Sequence, residues 1–250
     1  MSLKTIDFDD MNISYYHSSP QGSAEKLLFI PDLLIPASVY VAFLEKLGME
    51  YICPILAPDQ LQQASTVIQG LLKALGMDNG VFVLGSHLTG ASIDLLPFRR
   101  NIARMVLFDP LVENFIPYKL EHSTGTCCSA ESLDMDIFRA QLFRRNFEAV
   151  KDLGTSDLEL RVRVEAFCDA APTPYNAREL IQFAQDELVS IRVIRCTEQR
   201  NMTYTTKSGV SDQTIDGPCF MFDDEKAQRA FILPLVTNSV SCTRDVELSD

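Results

Sequence analysis

Val81-Phe82-Val83-Leu84-Gly85-Ser86-His87-Leu88-Thr89-Gly90-Ala91 runs from a β-rich apolar stretch into a glycine-flanked turn, then passes into the helical pattern Ser92-Ile93-Asp94-Leu95-Leu96. A short apolar run bounded by turn residues reads as a buried strand, and small residues at a sharp turn permit backbone that bulkier ones would strain. The stretch is therefore a strand, a tight turn and a helix, with His87 at the turn.

Upstream, Lys4 to Tyr16 alternates apolar and polar residues through Ile6, Phe8, Met11, Ile13 and Tyr15. That pattern predicts two antiparallel strands joined at Asp9-Asp10. Ser18 to Ser23 is a loop by composition, and His17 is assigned to the same N-terminal loop region. Lys26-Leu27-Leu28-Phe29-Ile30, closed by Pro31, reads as a buried parallel strand. A helix is expected from Ser38 to Leu44, ending near Gly48, and a strand over Tyr51 to Asp59, weakened by Pro54. Gln60-Leu61-Gln62-Gln63 leads into a helix over Ser65 to Gly76, with Val67, Ile68, Leu71, Leu72 and Leu75 on one face. Past the turn, Met105 to Pro110 is another buried strand. Repeated β-α units from residue 26 to 110 imply a parallel sheet with the turn at its centre, at the carboxyl ends of the strands.

The chain has 250 residues, of which 46% are hydrophobic, enough for one large core without a second composition regime. A formal net charge of -12 argues against nucleic-acid and membrane-surface partners, which are bound by clustered Lys and Arg. The pairs Arg99-Arg100 and Arg144-Arg145 are too short to alter that. Seven cysteines without CxxC spacing fit neither a disulfide framework nor a zinc site. The first residues carry acid rather than an apolar run, so no signal peptide or membrane span is expected and a cytoplasmic location is. With no glycine-rich dinucleotide turn, no P-loop and no paired histidines at metal spacing, no cofactor is implied.

The turn and the order of elements around it resemble the α/β-hydrolases, where a strand, an elbow and a helix lift a nucleophile above the sheet. The resemblance implies an α/β fold, with a mostly parallel central sheet, flanking helices and a helical cap insertion. It implies one domain over 1–250: a core of about 1–110 and 189–236, a cap of about 111–188, and an acidic tail over 237–250. Helices are expected in the cap at Leu133 to Leu153, Asp157 to Cys168 and Asn176 to Leu188, with Phe138, Leu142, Phe143 and Phe147 packing the cap on itself. Ile191 to Cys196 returns as a strand, Gly217 to Phe222 follows as a shorter last one, and Asp224 to Val236 is a closing helix.

The catalytic positions depart from that family. Where it has Gly-x-Ser-x-Gly, this chain has Gly85-Ser86-His87-Leu88-Thr89, with the next glycine one place late at Gly90, so His87 takes the nucleophile position and Ser86 precedes it. Where the third strand of the family ends in His-Gly, whose following N–H helps build the oxyanion hole, this chain has Pro31-Asp32. An aspartate there opposes the negative charge such a hole must stabilise. The acid position falls at Glu198 or Gln199, and the histidine position at Cys219. A thiol cannot relay a proton between two sites as imidazole does, and the other histidines, His17 and His122, match no catalytic position.

Three readings follow from this pattern. The leading one is a pseudo-hydrolase that binds a small apolar or acyl ligand, or a protein partner, in a cleft lined by Pro31, Asp32, Ser86, Leu88 and Glu198. A second is a non-hydrolytic enzyme, a cyclase, lyase or isomerase, with His87 as general acid or base. A third is an esterase or thioesterase with a rearranged Cys219, His87 and Asp109 set, since some members of the family carry their acid on the strand that here ends at Asp109.

Overall fold

Asp9 and Asp10 both take positive φ, 48° and 63°, and this pair of left-handed residues makes the tight turn that joins the first two strands. Aspartate tolerates that conformation better than most residues, so the hairpin is written locally. The structure is a computed structural model that describes residues 1–20, 26–32, 34–77, 81–86, 102–108, 139–140, 143–144, 147, 155–169, 182, 185–186, 189–196 and 210–215. Its strands are β1 (Ser2–Phe8), β2 (Met11–Ser18), β3 (Lys26–Ile30), β4 (Glu50–Ile55), β5 (Val81–Ser86), β6 (Ile102–Phe108), β7 (Ser190–Cys196) and β8 (Val210–Ile215). They form one sheet in the order β1-β2-β4-β3-β5-β6-β7-β8. β1 and β2 run antiparallel, and β2 meets β4 antiparallel; from β4 across to β8 every pairing is parallel.

The interior strands are the apolar ones. Leu27, Leu28, Phe29 and Ile30 of β3 are fully buried, as are Met105, Val106 and Leu107 of β6. Each such side chain contributes about 1.5–3 kcal/mol of burial. The Phe29 ring packs on Tyr40 and Phe43, at centroid distances of 5.1 and 6.5 Å. Pro54 is in register with Tyr15 of β2 but lies beyond the β3 pairing, which covers only Glu50, Tyr51 and Ile52, so no ladder bond to β3 is asked of it.

Helix α1 (Val41–Lys46) follows a 3-10 turn at Ala37–Tyr40, and α2 (Ala64–Ala74) follows another at Pro58–Gln63. The α2 face of Val67, Ile68, Leu71 and Leu72 is buried, as its spacing predicts. Its end is closed by Gly76 at φ 63°, with the Met77 N–H donating to the Leu72 carbonyl at 2.9 Å and the Gly76 N–H to the Lys73 carbonyl at 3.1 Å. This pairing satisfies carbonyls that the helix itself leaves open.

One sequence assignment is corrected. His17 lies in β2 rather than in a loop, because pairing with Ser2 on one side and Ile52 on the other carries the strand through to Ser18. A strand that sequence reading did not assign, Val210–Ile215, is also present. Its Ser211, Asp212 and Gln213 give no apolar run, and among the described residues it pairs with β7 alone. Residues Gly217 to Phe222, the closing helix from Asp224 and the tail lie outside the described residues.

Candidate functional site

Carboxyl ends of the parallel strands are where this kind of sheet presents chemistry. Their registers align these ends. Ile30 of β3 pairs with Gly85 of β5, Ser86 with Phe108 of β6, Phe108 with Ile194 of β7, and Cys196 with Ile215 of β8. Adjacent strands lie about 4.8 Å apart.

Pro31 and Asp32 follow β3 directly, and both are buried. Asp32 is 1% exposed, and its Oδ1 accepts a 2.9 Å hydrogen bond from the Leu34 N–H. The Ile35 N–H donates to the Asp32 carbonyl at 3.2 Å, closing the turn. Asp32 thus builds the bend after β3 with both its side chain and its backbone, a use of aspartate that depends on its short acceptor. Sequence reading assigned Asp32 an electrostatic role and missed this one; the signal was an Asx residue followed at the right interval by a chain reversal.

Ser86 is the last residue of β5. His87, Leu88, Asp109, Glu198 and Cys219 lie outside the described residues. In sequence, His87 follows the end of β5, Asp109 follows the end of β6, Glu198 stands two residues beyond β7, and Cys219 four beyond β8.

Helix α3 (Asp157–Asp169) lies between β6 and β7 in sequence and packs against the Pro58–Gln63 turn, on the carboxyl side of β4. Leu160, Val164, Phe167 and Cys168 form its buried face. Phe143 and Phe147, also helical, stack at 5.7 Å and join the same core, and the Arg161 guanidinium sits 4.3 Å over the Phe143 ring. Arg139 reaches Glu165 at 3.0 Å and Asp169 at 3.5 Å. Phe143 and Phe147 therefore contribute to packing against this core; Phe138 and Leu142 lie outside the described residues.

Burial pushes the Cys53 and Cys168 thiols up; for Cys168 the Arg139 guanidinium opposes that rise. Neither thiol is set up as a nucleophile. On β2, His17 Nδ1 lies 2.8 Å from Lys4 Nζ and its Nε2 lies 3.4 Å from Glu50 Oε1. An ammonium has no lone pair to offer, so Lys4 donates to Nδ1 and the ring proton sits on Nε2 facing Glu50. That fixes His17 in a structural contact on β2. Among the described residues no group of three or more His, Cys, Asp or Glu is placed to hold a metal, and no helix is long and apolar enough to cross a membrane.

No protein-family model matches the sequence, and no curated protein matches it. Solved structures do. A thermophilic esterase from Thermogutta terrifontis is 13% identical, with a TM-score of 0.65 over 97% of this chain and 99% of that one. Epoxide hydrolase CorEH is 11% identical, with a TM-score of 0.61 over 97% and 99%. The haloalkane dehalogenase DbeA from Bradyrhizobium elkani is 8% identical, with a TM-score of 0.58 over 96% and 99%. An eight-stranded sheet in this order, with β2 reversed and likeness running the length of such enzymes, shows that the chain has the α/β-hydrolase fold.

Proposed function

We propose that this protein uses the α/β-hydrolase scaffold without hydrolysis, binding a small apolar or acyl ligand at the carboxyl ends of the sheet, under a helical cap to which α3 belongs. The observation that carries this reading is Asp32, buried at the end of β3 with its carboxylate fixed on the Leu34 N–H. Hydrolysis through a tetrahedral intermediate needs donors aimed at a developing negative charge in a poorly screened site. An aspartate at that place works against the charge, and the opposition grows as the effective dielectric falls. The sequence adds histidine where the nucleophile of a hydrolase would stand and cysteine where its histidine would stand.

Purified protein is assayed against p-nitrophenyl acyl esters and acyl thioesters beside His87→Ala and Cys219→Ser, and the same molecules are tested for raising the melting temperature. The expected result is stabilisation by acyl compounds without turnover. Turnover lost in both variants, with iodoacetamide labelling Cys219 selectively, overturns this reading in favour of a rearranged Cys219, His87 and Asp109 site.

A further inference from the structure

His17 pairs with Ser2 of β1 on one side and Ile52 of β4 on the other. Lys4 and Glu50 each stand two residues from those partners, so both occupy diagonal positions on the face that carries the imidazole. Lys4 Nζ lies 2.8 Å from Nδ1, and Glu50 Oε1 lies 3.4 Å from Nε2. The histidine side chain is 18% exposed and the glutamate 20%, which withdraws the pair from water without closing it off from protons. The Tyr15 ring meets the imidazole edge-on at 6.4 Å. Among the other charged groups of the packed elements, Asp7 of β1 projects from the opposite face, Lys26 of β3 is in register with Glu50, Glu45 of α1 faces Tyr51 and the Met1 ammonium, and Lys73 of α2 lies over the Phe8 ring.

A 2.8 Å contact with an ammonium requires a lone pair on Nδ1, so this arrangement belongs to the neutral ring with its proton on Nε2. A second ring proton has only Nδ1 to occupy, and there it meets another donor along the same line. The charge it adds also strengthens the bond from Nε2–H to Glu50. We propose that His17 is a proton-operated switch, holding β1 through Lys4 when neutral and β4 through Glu50 when protonated, and turning the Lys4 ammonium out to solvent as it changes over. Lys4 is free to leave because it is exposed on a flexible four-carbon stem. The β1–β2 ladder and the bond from Ser2 Oγ to the His17 carbonyl do not involve the ring, so the strands stay paired while the side chains exchange. Histidine suits this because one proton adds a charge and turns an acceptor nitrogen into a donor.

NMR on the full chain, labelled with 13C and 15N, tests the switch without ligand or turnover. His17→Gln assigns the His17 ring among the three histidines, and Lys4→Gln and Glu50→Gln assign the Lys4 15Nζ and Glu50 13Cδ signals. At mildly alkaline pH, long-range 1H–15N spectra are expected to show the His17 proton on Nε2. On acidification, the Lys4 and Glu50 signals are expected to step together with the His17 ring. The Lys4 step is expected to vanish in His17→Gln, and the Glu50 step to persist in Lys4→Gln. A proton on Nδ1 of the neutral ring, a Lys4 signal that does not move as the ring titrates, or a Lys4 step that survives in His17→Gln overturns the proposal. Should His17→Gln fail to fold, Lys4→Gln decides, because loss of the Glu50 step there would mean that Glu50 answers to Lys4 and not to the ring.

Discussion

The Asp32 carboxylate and the Leu34 backbone N–H are joined by a 2.9 Å hydrogen bond where β3 gives way to a turn, and that bond makes an acidic residue part of the scaffold. Removing the acceptor leaves a buried donor unsatisfied, which costs about 1–3 kcal/mol. Asp32→Ala is therefore expected to lower the urea midpoint clearly, and Asp32→Asn to lower it by less than half as much. Equal losses would show that the hydrogen bond is not what stabilises the turn.

Gly70 of α2 faces the Phe8 ring of β1 so closely that a Cβ built there would lie 2.6 Å from Phe8 Cε1 and 3.0 Å from Cγ. Alanine would gain about 1 kcal/mol of helix propensity, but overpacking costs about 1–3 kcal/mol. Gly70→Ala is expected to destabilise the protein, and in the background of Phe8→Ala to stabilise it. A double-mutant cycle reads the change of sign.

Phe29 and Leu3 are both large and apolar on the sheet, yet one is fully buried and the other 61% exposed. Phe29→Ala is expected to cost about 3–5 kcal/mol, through lost burial and the cavity left beside Tyr40 and Phe43. Leu3→Ala is expected to stay within about 0.5 kcal/mol. Chemical denaturation of the two variants separates core from edge.

Burial pushes the Cys53 thiol well above its ordinary value, so the folded protein keeps this proton where the unfolded chain releases it. The stabilising term is complete below the unfolded pKa of about 8.5. Above it the unfolded chain holds fewer protons, and stability falls by about 1.4 kcal/mol per pH unit. Tyr51, raised by burial and then by its 2.8 Å hydrogen bond to Glu45, adds the same dependence above about pH 10. Cys53→Ala is expected to flatten the decline between about pH 9 and 10, as followed by denaturation at fixed pH; an unchanged slope would remove Cys53 as its source.

Arg139 beside Cys168 partly offsets the effect of burial on that thiol. Arg139→Gln is expected to move the pH midpoint of Cys168 alkylation upward, read by peptide mass spectrometry. A change in plateau rate at an unmoved midpoint would mean that Arg139 controls access rather than ionisation.

The sequence by itself determined the elements whose information is local. Asp9-Asp10 between alternating residues specified the hairpin, the run from Lys26 to Ile30 specified β3 to the residue, and the apolar face from Val67 to Leu72 specified α2. Only the tertiary structure decided what depends on partners distant in the chain. β8 has a polar sequence and is a strand because β7 offers it a ladder, and His17 belongs to β2 because Ser2 and Ile52 pair with it. Pro54 fits β4 because β3 stops short of it. Asp32 reads alone as a charge; at the end of a buried strand, with the Leu34 N–H within reach, it becomes the turn itself. Periodicity reports which face of an element is apolar. Strand pairing and the satisfaction of buried polar groups are settled between segments that meet only when the chain folds.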